Sequence, residues 1–289
     1  MSKTLHADAL LIIVTLLAAA GWLFSHQALA GIAPLWFVSI RFSLAALILA
    51  LWAWPALRQM SRSQFTRCIW VGIWFAIGMV LWIFGLSSTQ HLGEGAFITS
   101  LGVVLVPIVG RIAFGERPSV WVWSAAMIAL VGLICLMAQH GLHLASSQLW
   151  FMGAALLFAV YFQLNSHMAT RVPVIALTSI ALAVVGLTTT LLAAVLEPLP
   201  TTLSPLTVGW ILASVIIATC LRFALQTHAQ QMSSASHAAL LMTLEPLWTT
   251  LLGLFFLQQT LSTLQMIGCG FIFLALLVGR IPTRALIRP

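Results

Sequence analysis

Charge is what this sequence has least of. Five of its 289 residues are acidic, Asp8 being the lone aspartate, and charged side chains make up 6% of the chain against 62% apolar ones. A water-soluble domain carries about a quarter of its residues charged, so that class is excluded. A single aspartate excludes paired-aspartate catalysis, and Glu94, Glu116, Glu197 and Glu245 lie far apart. There is no His-Glu-x-x-His run and no Gly-rich phosphate loop, so neither a zinc-protease helix nor a nucleotide-driven motor is written here. The four cysteines, Cys68, Cys135, Cys220 and Cys269, show no Cys-x-x-Cys spacing and read as small core residues. His140 and His143 have helix-like spacing but no carboxylate or cysteine nearby, and neither a metal nor a cofactor is expected. Tyrosine occurs once, at Tyr161.

What fills the chain is long apolar runs separated by short breaks. A helix of about twenty apolar residues crosses the hydrocarbon of a bilayer, and ten such runs are predicted: about 8–29, 34–54, 68–87, 94–114, 119–139, 148–168, 173–196, 207–227, 237–257 and 262–280. The first resembles a signal peptide in its Lys3 and Ala28-Leu29-Ala30, but it is long for one and takes part in the repeat below, so it is kept as a span. With the N-terminus cytoplasmic, Lys3, Arg58, Arg62, Arg67, Arg111, Arg117, Arg171, Arg280, Arg284 and Arg288 all fall inside and the outer loops receive no Lys or Arg. Both termini are therefore expected to be cytoplasmic. The formal charge of +7 reflects this asymmetry and contact with anionic lipid; the bilayer is the expected partner and nucleic acid is not.

The chain repeats itself weakly. Leu23-Phe24-Ser25-His26 matches Leu164-Asn165-Ser166-His167, Val38-Ser39-Ile40 matches Thr178-Ser179-Ile180, and Gly115-Glu116-Arg117-Pro118-Ser119 matches Gln258-Gln259-Thr260-Leu261-Ser262, in the same order. Five spans per half is an odd number, so the halves 1–143 and 144–289 enter the membrane with opposite orientation. The expected fold is thus an all-α polytopic membrane protein of ten transmembrane helices in two inverted five-helix repeats, an architecture that places a substrate site between the halves near the bilayer midplane.

Ala96-Phe97-Ile98-Thr99-Ser100-Leu101 with Val106-Pro107 and Gly115-Glu116-Arg117, and Ser233-Ser234-Ala235-Ser236-His237-Ala238-Ala239-Leu240 running into Leu244-Glu245-Pro246, resemble the drug/metabolite transporter superfamily in its ten-helix EamA-like branch. The resemblance covers essentially the whole chain. It implies transport of amino acids, their relatives or toxic organic compounds, frequently by export, through a basket of spans one, three, four, six, eight and nine with five and ten at the periphery. This sequence departs from the pattern at Gln259, where such proteins usually carry Glu, and at Pro107, about one turn later than Pro246 when the halves are aligned.

A charge at the centre of a spanning helix costs roughly 2.5–3.5 kcal/mol, so Arg41, Arg222 and Glu245 need reasons. Arg222 and Glu245 fall at similar depths in spans eight and nine, which allows an ion pair. Such a pair could hold two helices in register, or release Arg222 to a substrate carboxylate or phosphate while Glu245 carries a proton. Arg41 is expected to pair with Glu94 or to snorkel. Pro107 and Pro246 are hinge candidates, and Pro246 next to Glu245 marks the wall of a polar cavity. Tyr161 and Asn165, one turn apart, with Trp22, Trp82 and Trp248, complete the substrate-binding candidates; Glu245, His26 and His167 are the proton-coupling candidates. The function expected is a secondary transporter, and specifically an exporter, of small metabolites by alternating access, a monomer in the cytoplasmic (inner) membrane. The alternatives are an intramembrane enzyme, or an importer or exchanger of a larger metabolite within the same superfamily.

Overall fold

The computed structural model describes residues 3–88, 92–137, 146–257 and 262–279, and every regular element among them is helical. In order these are α1 (Lys3–Leu29), α2 (Pro34–Gln59), α3 (Arg62–Ser88), α4 (Leu92–Ser100), α5 (Gly102–Phe114), α6 (Val120–Met137), α7 (Ser146–Ala169) and α8 (Val174–Leu196). Then follow α9 (Pro205–Val215), a π-helical stretch (Ile216–Leu221), α10 (Arg222–Met232), α11 (Ala235–Met242), α12 (Leu244–Leu257) and α13 (Thr263–Gly279). Among the described residues seven segments are long and apolar enough to cross a bilayer: Leu5–Leu29, Pro34–Gln59, Arg62–Ser88, Gly95–Phe114, Ser147–Ala169, Val174–Leu196 and Pro205–Met232. Val120–Cys135 and Met266–Gly279 are shorter apolar helices. The chain is a multi-pass membrane protein, apolar on two faces for two reasons. In α2, Leu35, Phe37, Val38, Phe42 and Leu49 are buried, whereas Leu47, Leu51 and Trp52 face outward as lipid-facing side chains should.

Local signals set the helix ends. Pro34 and Pro205 sit in first turns, where their missing N–H costs nothing. Ser204 caps α9 by accepting from Thr207 N. Glu197, just past α8, accepts from the N–H groups of Leu35 (2.9 Å) and Trp36 (3.0 Å), placing a carboxylate on the orphan donors and positive end of α2. Gly115 ends α5 with φ 65°, a left-handed conformation that glycine adopts without strain.

Three of the expected continuous spans are interrupted. The fourth pauses at Leu101 and the ninth at Thr243, the corresponding places in the two halves, while the eighth passes through the π-helical stretch. Pro246 explains the pause at Thr243: in a continuous helix residue 246 would donate to Met242 O, and restarting at Leu244 puts the proline in a first turn instead. The interruption beside the hinge candidate Pro246 therefore lies just before it. Pro107 sits inside α5, and the nearby break falls a turn and a half earlier, at Leu101.

The packing follows the repeat. α3 lies on α7 and α10 on α1; α4 and α5 lie on α7 while α11 and α12 lie on α1; α3 meets α8 and α9 meets α2. Exchanging the halves maps each of these pairs onto its partner. The pairs α2 with α8 and α6 with α13 map onto themselves. Close approach at these two self-related contacts relies on glycine: a Cβ at Gly186 would lie 2.8 Å from Ser43 N, and one at Gly132 would lie 2.8 Å from the Gly268 carbonyl oxygen. The expected boundary at residues 143 and 144 lies outside the described residues, as do Gln259 and the histidines at 91, 140 and 143.

Candidate functional site: a cavity between the halves

A cavity of about 150 Å³ opens in the middle of the molecule. α1 contributes Ala18, Gly21 and Trp22, α3 Phe75, Met79 and Trp82, and α7 Phe158, Tyr161 and Phe162. Thr99, Ser100, Gly102 and Val106 flank the Leu101 break, and Met242 and Glu245 flank the break at Thr243. α10 supplies Arg222, Phe223 and Gln226. The second span takes part through Arg41 and Phe42, beyond the basket expected from the resemblance, and no lining residue comes from α6, α8 or α13. Two helix interruptions facing one cavity leave backbone carbonyls where water or a solute can reach them, the condition under which irregular backbone is tolerated at membrane depth.

Glu245 is the cavity's carboxylate. Its Oε1 accepts from Trp22 Nε1 at 2.7 Å, while its Oε2 lies 3.9 Å from Arg222 Nη2. The first is a short charge-assisted bond across the two halves; the second is an ion pair too long to be a hydrogen bond. Arg222 rests on Phe223, its Cζ 4.3 Å from the ring centroid, and its Nε has no partner among the described residues. The two side chains expected to meet do meet, and loosely.

An aromatic wall surrounds them. Trp22 and Trp82 pack edge to face at 5.1 Å, and Tyr161 stacks on Phe75 at 4.2 Å, with Phe223 tilted against Phe75 at 5.1 Å. Edge-to-face and offset stacks fix ring orientation and hold the wall in shape. Trp22, Trp82 and Tyr161 thus come together with Arg222 and Glu245. Asn165 and Trp248 do not line the cavity. Asn165 is fully buried and donates from Nδ2 to Thr227 Oγ1 (3.2 Å) and Gln230 Oε1 (2.5 Å), tying α7 to α10. Trp248 Nε1 donates to Thr15 Oγ1 at 3.1 Å.

Arg41 neither snorkels nor reaches the membrane surface: it is 5% exposed. Nε donates to Thr219 Oγ1 (2.6 Å), Nη1 to Ser25 Oγ (3.0 Å) and Nη2 to the Ala218 carbonyl (3.1 Å). The side chain of Glu94, its expected partner, lies outside the described residues. Both of these acceptors, the Ala218 carbonyl and the Thr219 hydroxyl, lie in the π-helical stretch, where a carbonyl is released from the regular i to i−4 ladder. Gly21 lets α1 approach there, since a Cβ at that position would meet Ala218 Cβ at 2.9 Å.

The histidine candidates separate. His26 is exposed near the end of α1. His167 Nε2 lies 3.1 Å from Glu116 Oε1, its ring stacks on Phe114 at 4.3 Å, and Glu116 Oε2 accepts from Gln163 Nε2 at 3.1 Å. A second pair joins His237 Nε2 to Asp8 Oδ1 at 2.8 Å. Both pairs join the halves, α5 to α7 and α1 to α11. Sequence reasoning missed Gln226 and Gln230, although Arg222, Gln226 and Gln230 recur every four residues and so form one polar stripe on α10. It also missed both histidine–carboxylate pairs, whose members are 51 and 229 positions apart.

Among the described residues no three His, Cys, Asp or Glu side chains are grouped to hold a metal. The EamA-like transporter family matches residues 5–138 and, a second time, residues 145–279. An uncharacterized transporter of Archaeoglobus fulgidus is 25% identical over 279 residues, covering 96% of this chain and 86% of its own length. A protein of known crystal structure superposes with a TM-score of 0.82 at 16% identity, over 98% of this chain and 99% of its own, a likeness of fold alone.

Proposed function

The chain belongs to the EamA-like transporter family, and from that membership we propose that it is a secondary transporter that exports small metabolites such as amino acids or related organic compounds by alternating access. That it is a membrane transporter follows from the family. The route, the substrate class and the direction are the further steps. The central cavity is the proposed substrate site, with Arg222, Glu245, Tyr161, Trp22 and Trp82 as its binding residues; Asn165 and Trp248 support the neighbouring helices. The halves 1–143 and 144–289 are the moving units, the breaks beside Pro107 and Pro246 their hinges, and Glu245 and His167 the proton-coupling groups. In this reading all ten apolar stretches cross the cytoplasmic membrane, both termini are inside, and a single chain suffices.

The observation that carries the reading is the loose Arg222–Glu245 pair. At 3.9 Å, with each side chain less than one-fifth exposed, the pair closes no direct hydrogen bond, so Arg222 keeps donors for a substrate anion that takes the place of Glu245. Family membership favours this over the intramembrane-enzyme alternative. The test is uptake of pooled amino acids and related metabolites into proteoliposomes, with and without a pH gradient, by the wild type and by Arg222→Gln and Glu245→Gln. Saturable uptake that falls at least about tenfold in both variants, while both remain folded, is expected, since breaking such a pair costs several kcal/mol. Unchanged uptake in both would remove the pair from the mechanism.

A further inference from the structure

Among the described residues two guanidiniums and one carboxylate line the cavity, and the carboxylate is committed elsewhere: Glu245 is held by Trp22 and only loosely by Arg222. Arg41 has neutral partners, two hydroxyls and a carbonyl, and no carboxylate bonds to it among the described residues. A guanidinium stays protonated and carries five N–H donors, so these three bonds leave donors uncommitted. A buried charge bonded to neutral groups alone is costly, and a guanidinium fixed by three such bonds at a cavity wall is placed to receive the opposite charge. The π-helical stretch adds to this. A helix does not widen without cause, and here the widening supplies the Ala218 carbonyl and Thr219 hydroxyl that fix the guanidinium beside Phe42 at the cavity wall.

Resting on the cavity as the substrate site, we infer that it is an organic-anion site: Arg41 and Arg222 receive one carboxylate or phosphate group, and the Trp22, Trp82 and Phe75 wall receives an apolar or aromatic body. Glu245 is the counter-ion that Arg222 exchanges for the substrate's anionic group. Arg41 is then a binding residue and the determinant of charge selectivity, a role for which its partners along the chain give no sign.

The test compares three probes of one shape and different charge, phenylacetate, phenylacetamide and phenethylammonium, by quenching of tryptophan fluorescence and by thermal shift on purified protein in nanodiscs. Phenylacetate is expected to bind about tenfold or more tightly than phenylacetamide, the difference expected for a charge-assisted bond, and phenethylammonium more weakly still. Arg41→Gln is expected to abolish the preference and Arg41→Lys to keep part of it. Equal or stronger binding of the amide or the amine in the wild type overturns the anion assignment without any variant, and so does the absence of binding by phenylacetate. If that happens while proteoliposome uptake remains saturable and sensitive to Arg222→Gln, the cavity stands as the transport site and only its charge class falls; loss of both sinks the transport reading as well.

Discussion

At the scale of single residues, Trp22 joins the site's two kinds of chemistry. Its indole N–H holds Glu245 from the opposite half, and its ring braces Trp82. Trp22→Phe keeps most of the ring packing and removes the donor. Hydrogen bonds to charged groups are worth about 1.5–3 kcal/mol, so this variant is expected to lose about that much stability in unfolding measurements, whereas Trp82→Phe loses less because no hydrogen bond goes with it. Equal losses would show that the indole bond contributes little. Part of this site was legible in the sequence: an arginine and a glutamate at matching depth in apolar runs have few ways to be satisfied except by each other. The partner of Arg41 was not legible, because hydroxyls and a backbone carbonyl leave no charge pattern to read. Asn165 was misplaced for a related reason, since helical periodicity puts it on the face of Tyr161 but does not say that α10 covers that end of the face.

Among the elements, the apolar runs gave away the helices and hid their interruptions. Thr243 follows from Pro246, which is visible in the sequence. The π-helical stretch Ile216–Leu221 is apolar and contains neither proline nor glycine, and its cause lies on α2. If Arg41 sustains it, Thr219→Val, which keeps the shape of the side chain and deletes the acceptor, leaves Arg41 Nε unpaired. That variant is expected to cost about 1–3 kcal/mol in stability and to weaken phenylacetate binding several-fold, while Ser204→Ala, a cap at the other end of the same span, costs about 0.5–2 kcal/mol and leaves binding intact. Equal effects on binding would deny the stretch any special role. The α2 and α8 contact offers a sharper structural test. Gly186→Leu drives a side chain into the backbone at Ser43 and is expected to destabilise by about 1–3 kcal/mol or more, seen as a lower unfolding temperature.

For the whole molecule, the pairs α2 with α8 and α6 with α13 survive exchange of the halves unchanged, and in the proposed rocking motion they are the contacts that persist; α5 with α11 and α4 with α12, beside the cavity, exchange with one another. The Glu116–His167 and Asp8–His237 pairs tie the halves at the helix ends that also bear Arg58, Arg62, Arg111, Arg117 and Arg171. The part-exposed Glu116–His167 pair is worth little and the mostly buried Asp8–His237 bond about 1 kcal/mol or more, so replacing both histidines by alanine is expected to raise opening on that side by at least about fivefold. The readout is labelling of a cysteine at Gln226, in a background without the native cysteines, by an impermeant thiol reagent; unchanged labelling would mean the pairs do not hold that side shut.

The two guanidiniums and one carboxylate that line the cavity among the described residues also have an electrical consequence. In the proposed cycle, with Glu245 ionised, an empty site of these three side chains that changes sides would carry a net positive charge through the membrane, and a site loaded with a monoanion would carry none. A membrane potential, negative inside, acts on such a charge with about 2.3 kcal/mol per 100 mV, scaled by the fraction of the field it crosses. The voltage would therefore drive the empty site inward to be loaded again. With Glu245 ionised throughout the proposed cycle, turnover would register as a current; a proton carried by Glu245 on one leg would change the charge moved per cycle.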